Sequence, residues 1–380
     1  MTSRLEDLIA ELCPNGVEYK ALSDVSDMKR GMTVTKKSVN PGDIPVISGG
    51  REPAYYCDIS NRNGETITVA GSGAGAGFVQ YWDKPIFVCD AFSVKGVNDL
   101  TLTKFLYYVL LSKQEAIYAT KKGGGVPHVH ISSIKDFEIP IPPLDVQAEI
   151  VRILDTFTEL TAELTAELTA RKKQYEYYRD TLLTFDDNNP LHSLISRYCP
   201  NGVEYKKIGD IAFISTGSKL SDIQESPSLY EYINAGTTNS GYSLDWNCDG
   251  DVVTTPSRGQ GGIGYVGYQK NKFWLGPLCY KIAGNADFVL NKYLYYCLSN
   301  NSYAILSLKK DGGVPAINKS DLEELVLPVP PLEVQHQIVQ ILDRFDALCN
   351  DLTQGLPAEI EARRKQYEYY RDQFLTFERE

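Results

Sequence analysis

The sequence predicts an α+β chain: two mixed α/β blocks separated by two long helices, the helices packed as an antiparallel coiled coil with an internal pseudo-twofold. Three observations carry this expectation. First, the chain repeats itself. CPNGVEYK at Cys13–Lys20 returns unchanged at Cys199–Lys206, Gly124–Phe157 is matched by Gly312–Phe345, and Lys173–Phe185 (KQYEYYRDTLLTF) is matched by Lys365–Phe377 (KQYEYYRDQFLTF). Each half is therefore a variable block followed by a near-constant tail. Second, the tails place apolar residues three and four apart, at Ile150, Ile153, Phe157, Leu160 and Leu164 and again at Ile338, Ile341, Phe345, Leu348 and Leu352. That spacing is the seam of a coiled coil. Third, each block holds short β-like runs, an aromatic helix-like stretch and many glycines, the pattern of a compact mixed domain.

Along the chain, the first block (residues 1–142) is expected to contain strands at Thr66–Ala70 and Ile86–Cys89 and a helix over Thr103–Leu111. Pro142-Pro143 then marks a helix start, where proline gives up no needed N–H, and Asp145 and Glu149 favour the dipole. A central helix is expected next, over 143–187. Within it ELTAELTAELTA adds a second consecutive four-residue step, Leu164 to Leu168, which is a stutter in the heptad. The seam resumes at Tyr175, Tyr178, Leu182 and Phe185. From Asp145 to Phe185 such a helix runs roughly 60 Å, the length of a spacer or an assembly surface. The second block (188–330) repeats the pattern with a strand at Asp251–Thr255 and a helix at Asn291–Leu298, and Pro330-Pro331 opens a C-terminal helix over 331–380. Gly355 and Pro357 predict a break in its middle.

The 380 residues are 43% apolar and 23% charged, a globular composition with enough chain for two cores. No apolar run approaches the roughly 18 residues of a membrane span, and the N-terminus lacks a basic-then-apolar leader pattern, so a cytoplasmic protein is expected. Eight cysteines without a C-x-x-C pair or close Cys/His spacing argue against a zinc module and a disulfide framework, and for reduced, mostly buried thiols. The net charge of −11 opposes nucleic-acid binding at first, because phosphate contacts need Lys and Arg. Yet residues 13–140 carry 14 basic and 13 acidic side chains and residues 199–328 carry 11 and 13, whereas the stretches 141–198 and 329–380 each carry 6 and 10. The blocks stay open to phosphate while the acidic tails do not.

Two equivalent block-plus-helix units in one chain pack most economically about a pseudo-twofold, as in a C2 dimer. B-DNA has twofold axes perpendicular to its own, so a divergent pair of blocks would read two different half-sites on either side of an unread gap. The blocks do diverge: ISGGREPAYY and VAGSGAGAGFVQYW face YINAGTTNSGYS and TTPSRGQGGIGYVGY. With this order of blocks come the helix opening PIPPL-x-x-Q-x-x-I-V-x-I-L-D-x-F, the TAEL repeats at Thr161–Leu168 and RKKQYEYYRD. In that combination the chain resembles, over essentially its whole length, the specificity subunit of a type I restriction–modification system. The resemblance implies a DNA-binding, non-catalytic subunit whose blocks are target recognition domains, each reading one half of a bipartite asymmetric duplex site. It implies helices that set the spacer and dock two methyltransferase subunits, to which restriction/translocase subunits add. S-adenosylmethionine, ATP and Mg are implied for those partners only, with no cofactor and no membrane contact for this chain. A non-catalytic two-headed scaffold that binds proteins or glycans fits the same divergent loops on like helices. A fused methyltransferase or nuclease would need a cofactor motif, and none is found.

The Gly71–Gly77 loop lacks the Lys-Ser/Thr of a P-loop. Its counterpart in the second half is Ser257-Arg258-Gly259-Gln260-Gly261-Gly262, in which glycines let backbone approach a groove and Arg258 and Gln260 bring donors that read guanine and adenine edges. Lys121-Lys122 and Lys309-Lys310 each precede a glycine loop ending in Val-Pro and suit phosphate contacts, which position without specifying. Past those prolines the halves differ, His128 and His130 against Ala316 and Asn318, as reading positions would. The DNA-contact candidates are thus Arg51, Ser72, Lys121, Lys122, His128, Ser257, Arg258, Gln260, Lys309, Lys310 and Asn318. Surface turns and solvated helix ends account for the same loops without a ligand. His128-x-His130 lacks a third ligand for a metal. Tyr175, Tyr178, Tyr367 and Tyr370 stand at helical spacing and read as a subunit interface or coiled-coil surface rather than a platform for stacked bases. Asp187-Asn188-Asn189-Pro190 falls short of the N-P-P-[FY] motif of adenine methyltransferases and reads as a turn.

Overall fold

The computed structural model describes residues 3–97, 99–123, 125–310 and 313–380. In it the repeat of the sequence becomes a repeat of topology. The chain gathers into two compact units, Met1–Thr165 with Glu359–Glu380, and Ala166–Ala358. Each unit therefore combines one block with one stretch of the central helix and one helix from the C-terminal tail.

In the first unit α1 (Ser3–Leu12), β1 (Glu18–Ala21), the one-turn α2 (Leu22–Val25) and β2 (Ser26–Arg30) come first. Next are β3 (Ile44–Ile47), β4 (Tyr55–Cys57), β5 (Thr66–Ala70), β6 (Val79–Trp82), β7 (Phe87–Val88) and β8 (Ala91–Gly96). Then come α3 (Thr103–Ser112), α4 (Gln114–Ala119), the short α5 (Ile131–Ile134), β9 (Glu138–Ile141) and α6 (Leu144–Leu182). Strands β2-β8-β5-β6 form an antiparallel sheet, β4-β3-β7 a smaller mixed one with β3 parallel to β7, and β1-β9 a ribbon. Central β5 is buried at every position, and its Ile67 and Val69 pack with Phe105, Leu106 and Val109 of α3 and with Ile150, Ile153 and Leu154 of α6.

The second unit repeats this order. It holds α7 (His192–Tyr198), β10 (Tyr205–Lys207), α8 (Ile208–Ile211), β11 (Ala212–Thr216), β12 (Tyr230–Ile233) and β13 (Tyr242–Ser243). After them come β14 (Val252–Pro256), β15 (Gly267–Gln269), β16 (Trp274–Leu275), β17 (Cys279–Gly284) and α9 (Asn291–Asn300). The unit continues with α10 (Ser302–Ser307), α11 (Lys319–Glu323), β18 (Val326–Pro328) and α12 (Leu332–Asn350). The sheets β11-β17-β14-β15, β13-β12-β16 and β10-β18 have the strand orders of the first unit. The core again joins sheet to helices, with Val253 and Ile282 against Tyr293, Leu294 and Leu298 of α9 and Val334, Ile338 and Leu342 of α12.

Helix α6 runs unbroken for 39 residues, about 58 Å. Its TAEL stretch stays helical because Ala, Glu and Leu are strong helix formers, and the threonine hydroxyls are absorbed within the helix: that of Thr161 donates to the Phe157 carbonyl at 2.8 Å and that of Thr165 to the Thr161 carbonyl at 2.7 Å. The turn reading of Asn188-Asn189-Pro190 holds and has a purpose. Buried Asn189 donates from Nδ2 to the carbonyls of Thr181, Leu182 and Thr184, closing the end of the helix that α6 leaves open. The expected break in the second tail falls between Asn350, the last residue of α12, and Leu356, the first of α13 (Leu356–Phe374). Pro357 sits in the opening turn of α13, where no N–H is missed.

In the first unit α6 and α13 run antiparallel: Arg379, just past α13, pairs with Glu138, just ahead of α6, while Phe157 stacks on Tyr370 at 5.6 Å. In the second unit α6 lies against α12 in the same sense, with Tyr178 stacked on Phe345 at 5.3 Å. All eight cysteines are free and six are buried. Burial pushes the Cys279 and Cys297 thiols up to about 12, so they stay protonated. No helix of the described residues is long and apolar enough to cross a membrane.

Candidate nucleic-acid interface

In each unit three loops that are distant in sequence meet at one end of the large sheet. In the first unit the loop after β5 and the loop after α4 are joined by backbone bonds. Gly73 N donates to the Pro127 carbonyl at 3.0 Å, Val129 N to the Gly71 carbonyl at 3.0 Å, and His128 exchanges bonds with Lys122 at 2.8 and 3.0 Å. His128 is thus bridged to both Ser72 and Lys122. The third loop, after β3, enters because both sides are glycine: a Cβ on Gly75 would lie 2.4 Å from the Gly49 carbonyl oxygen. Arg51 at its tip lies over the Phe78 ring at 5.0 Å, and Gln80 donates to its carbonyl.

The second unit builds the same junction from different side chains. Gly259 N donates to the Pro315 carbonyl at 3.0 Å, Ile317 N to the Ser257 carbonyl at 2.9 Å, and Ala316 is bridged to both Arg258 and Lys310. A Cβ on Gly262 would lie 2.2 Å from the Ala235 carbonyl oxygen. The residues singled out in the sequence therefore fall into two clusters: Arg51, Ser72, Lys121, Lys122 and His128 in one unit, and Ser257, Arg258, Gln260, Lys309, Lys310 and Asn318 in the other. Gly124, Asp311 and Gly312 of these loops lie outside the described residues.

Within the clusters Arg51, Lys121, Lys122, Arg258, Gln260, Lys309, Lys310 and Asn318 are exposed, and Ser72 and His128 are partly so. Ser257 is buried, which leaves its backbone, bonded to Ile317, as its part in the junction. Lys121 lies 4.0 Å above the Tyr118 ring. Two acids at the clusters escaped the sequence reading. Asp90 accepts the Ser72 hydroxyl, and Asp321 pairs with Lys310 at 2.7 Å and accepts a bond from Asn318 at 3.3 Å. Because Asp321 lies in the short helix that Asn318 precedes, its three-residue spacing from Asn318 was the available signal. His128 and His130 stack at 5.9 Å, and among the described residues no three His, Cys, Asp or Glu side chains gather to hold a metal.

The four tyrosines expected at a subunit interface are engaged within their own units. Tyr175 and Tyr178 pack on Phe345 of α12 and Tyr370 on Phe157 of α6, contacts between the long helices, whereas Tyr367 meets Tyr108 of α3 in the block. Their neighbours Tyr177 and Tyr369, equivalent in the two repeats, are the exposed rings, at 65% and 63%.

The sequence profile of the type I restriction modification DNA specificity domain matches this chain twice, at residues 14–171 and 200–362. A putative type I restriction enzyme specificity subunit of Haemophilus influenzae is 31% identical over 95% of this chain and 96% of its own length. The EcoR124I/EcoR124II specificity subunit of Escherichia coli is 34% identical over 74% of this chain and 72% of its own. The fold is that of the type I restriction–modification S subunit from M. genitalium, with a TM-score of 0.73 at 21% identity over 95% of this chain and 97% of that one. Two profile matches, one per repeat, together with a relative similar from end to end, place the chain in the family of type I restriction–modification specificity subunits.

Proposed function

We propose that this chain is the DNA-reading, non-catalytic subunit of a cytoplasmic type I restriction–modification complex. Each block is a target recognition domain and reads one half of a bipartite, asymmetric duplex site. The observation that carries the reading is the junction of three loops, built twice on one topology with different side chains. A shared scaffold fixes where the nucleic acid lies, while Arg51 and His128 in one unit and Arg258, Gln260 and Asn318 in the other give each half its own letters. Lysines 121, 122, 309 and 310 hold phosphate. Two methyltransferase subunits dock on the helices through Tyr177 and Tyr369 and the accessible edges of the neighbouring tyrosines, and restriction/translocase subunits add to them.

With a net charge of −11 the chain alone has weak electrostatic attraction for duplex DNA, and the partner subunits supply further phosphate contacts. The test is to co-express the chain with its methyltransferase in a host free of adenine methylation and to map modified sites across the genome. A two-part motif with a fixed gap is expected. Tight, salt-insensitive, site-specific binding by the isolated chain would overturn the division of labour, and an absence of any two-part motif would favour a scaffold for proteins or glycans.

A further inference from the structure

Each block is fastened to its helix at two points, and the same residue types make both fastenings in both units. The first is a buried amide. Gln147, in the opening turn of α6, accepts the Leu102 N–H on Oε1 at 2.9 Å and donates from Nε2 to the Leu100 and Pro142 carbonyls at 2.9 and 2.8 Å. Gln335 of α12 does the same with Leu290 N–H and the Phe288 and Pro330 carbonyls, at 2.9, 2.8 and 2.7 Å. Both side chains are fully buried. The glutamine thus ties the start of the helix to the loop that enters α3 or α9, and all of its bonds are made inside the protein.

The second fastening lies eight residues on, about 12 Å along the helix. The Tyr108 hydroxyl donates to Asp155 at 2.5 Å, Lys104 pairs with the same carboxylate at 2.9 Å, and Lys104 lies over the Tyr81 ring of β6 at 5.1 Å. In the second unit Tyr296 donates to Asp343 at 2.5 Å, Lys292 pairs with it at 3.6 Å and lies over the Tyr268 ring of β15 at 4.3 Å. Sheet edge, block helix and spacer helix therefore meet at one carboxylate. The apolar core already holds block and helix together; two polar, directional attachment points along the helix add a constraint on the tilt and rotation of the block that non-directional apolar packing does not give.

Between the repeats, much of the surrounding block sequence has changed, yet Gln, Lys, Tyr and Asp are kept at the fastenings. None of them belongs to the loop clusters that face nucleic acid. We propose that Gln147 with Asp155, Tyr108 and Lys104, and Gln335 with Asp343, Tyr296 and Lys292, are positioning residues that set the angle of each recognition domain on its helix and thereby the tolerance of the unread gap. The proposal rests on the bipartite reading. It predicts that loosening a fastening blurs the spacing without changing the letters of either half-site.

The test is the double variant Tyr108→Phe/Tyr296→Phe, which keeps both rings and removes only the hydroxyls. It is co-expressed with the methyltransferase, and modified sites are mapped beside those of the wild type. Sites whose gap is one base pair too long or too short should gain methylation relative to cognate sites by about tenfold, the scale of one hydrogen bond to a charged group. Asp155→Asn/Asp343→Asn should act in the same direction, and Lys292→Arg, which keeps the charge, should hold the wild-type gap. Methylation that falls equally at every site with the gap still sharp, or a gap unchanged in both double variants, would overturn the proposal. A wild-type map without a two-part motif would instead overturn the reading on which it rests.

Discussion

Asp321 shows how one residue shapes the candidate interface. Its carboxylate pairs with Lys310 at 2.7 Å and accepts from Asn318 at 3.3 Å, so two DNA-contact candidates are oriented by a group that itself repels phosphate. Such a pair holds Asn318, the candidate reading residue, in place, at some loss of the attraction that Lys310 offers to phosphate. Arg258, on the neighbouring loop, is exposed, and its guanidinium is the proposed bidentate contact to a base. Arg258→Ala should relax recognition in one half-site only, by about 1–3 kcal/mol, and leave the other half-site intact. Lys309→Ala should weaken binding to all sequences alike and flatten its dependence on salt. Competition binding of the assembled methyltransferase to duplexes varied one base at a time reads both effects. A change on both sides of the gap, or on neither, would sink the modular assignment of this loop.

At the scale of the element, the two helix starts differ in one instructive pair. Buried Glu149 accepts from Arg152 at 2.9 and 2.6 Å, and that bond, ahead of the opposing desolvation, holds its carboxyl below the usual range. The equivalent positions of α12 are Gln337 and Gln340. A carboxyl with a lowered folded-state pKa contributes stability above its unfolded value of about 4.3 and loses it as pH falls through the folded one. Glu149→Gln alone should lower the melting temperature at pH 7. Glu149→Gln/Arg152→Gln should recover it there, and should be less sensitive than the wild type to acid below about pH 4. Melting curves at the two pH values decide this, and equal acid sensitivity of wild type and double variant would refute it. The sequence made helices α3, α6 and α9 legible because their apolar spacing is strong, and β5 and β14 because they are continuous apolar-rich runs. It placed β7 within the run Ile86–Cys89, but it did not disclose β16, which has two residues and no period, or the small sheets themselves, in which the parallel pairing of β7 to β3 and of β16 to β12 spans some forty residues. Nor did it disclose the work of Gln147 and Asp155: both appeared as constant letters of the helix opening, and a polar residue kept beside a buried seam was the signal that they bond across it.

For the whole molecule, the TAEL stretch joins the two units, since one ends at Thr165 and the other begins at Ala166 within the same unbroken helix. Its leucines are only half-buried and its threonines bond to their own helix, so little in it binds it to a fixed length. Deleting Thr165–Leu168 shortens α6 by about 6 Å and turns the residues beyond the deletion by about 40°, because four residues exceed one turn only slightly. The apolar seam therefore stays nearly in phase, and the fastenings at Gln147 and Asp155 and at Gln335 and Asp343 are untouched. The non-helical turn between α12 and α13 is where the second tail can take up the difference. With DNA rising about 3.4 Å per base pair, the unread gap should shorten by one or two pairs and remain sharp, while both half-sites keep their letters. That outcome differs from a loosened fastening, which widens the gap's tolerance about an unchanged mean. Mapping methylated sites for the deletion variant, co-expressed with its methyltransferase, separates the two. An unchanged gap, or altered half-site letters, would show that the length of this helix does not set the spacing.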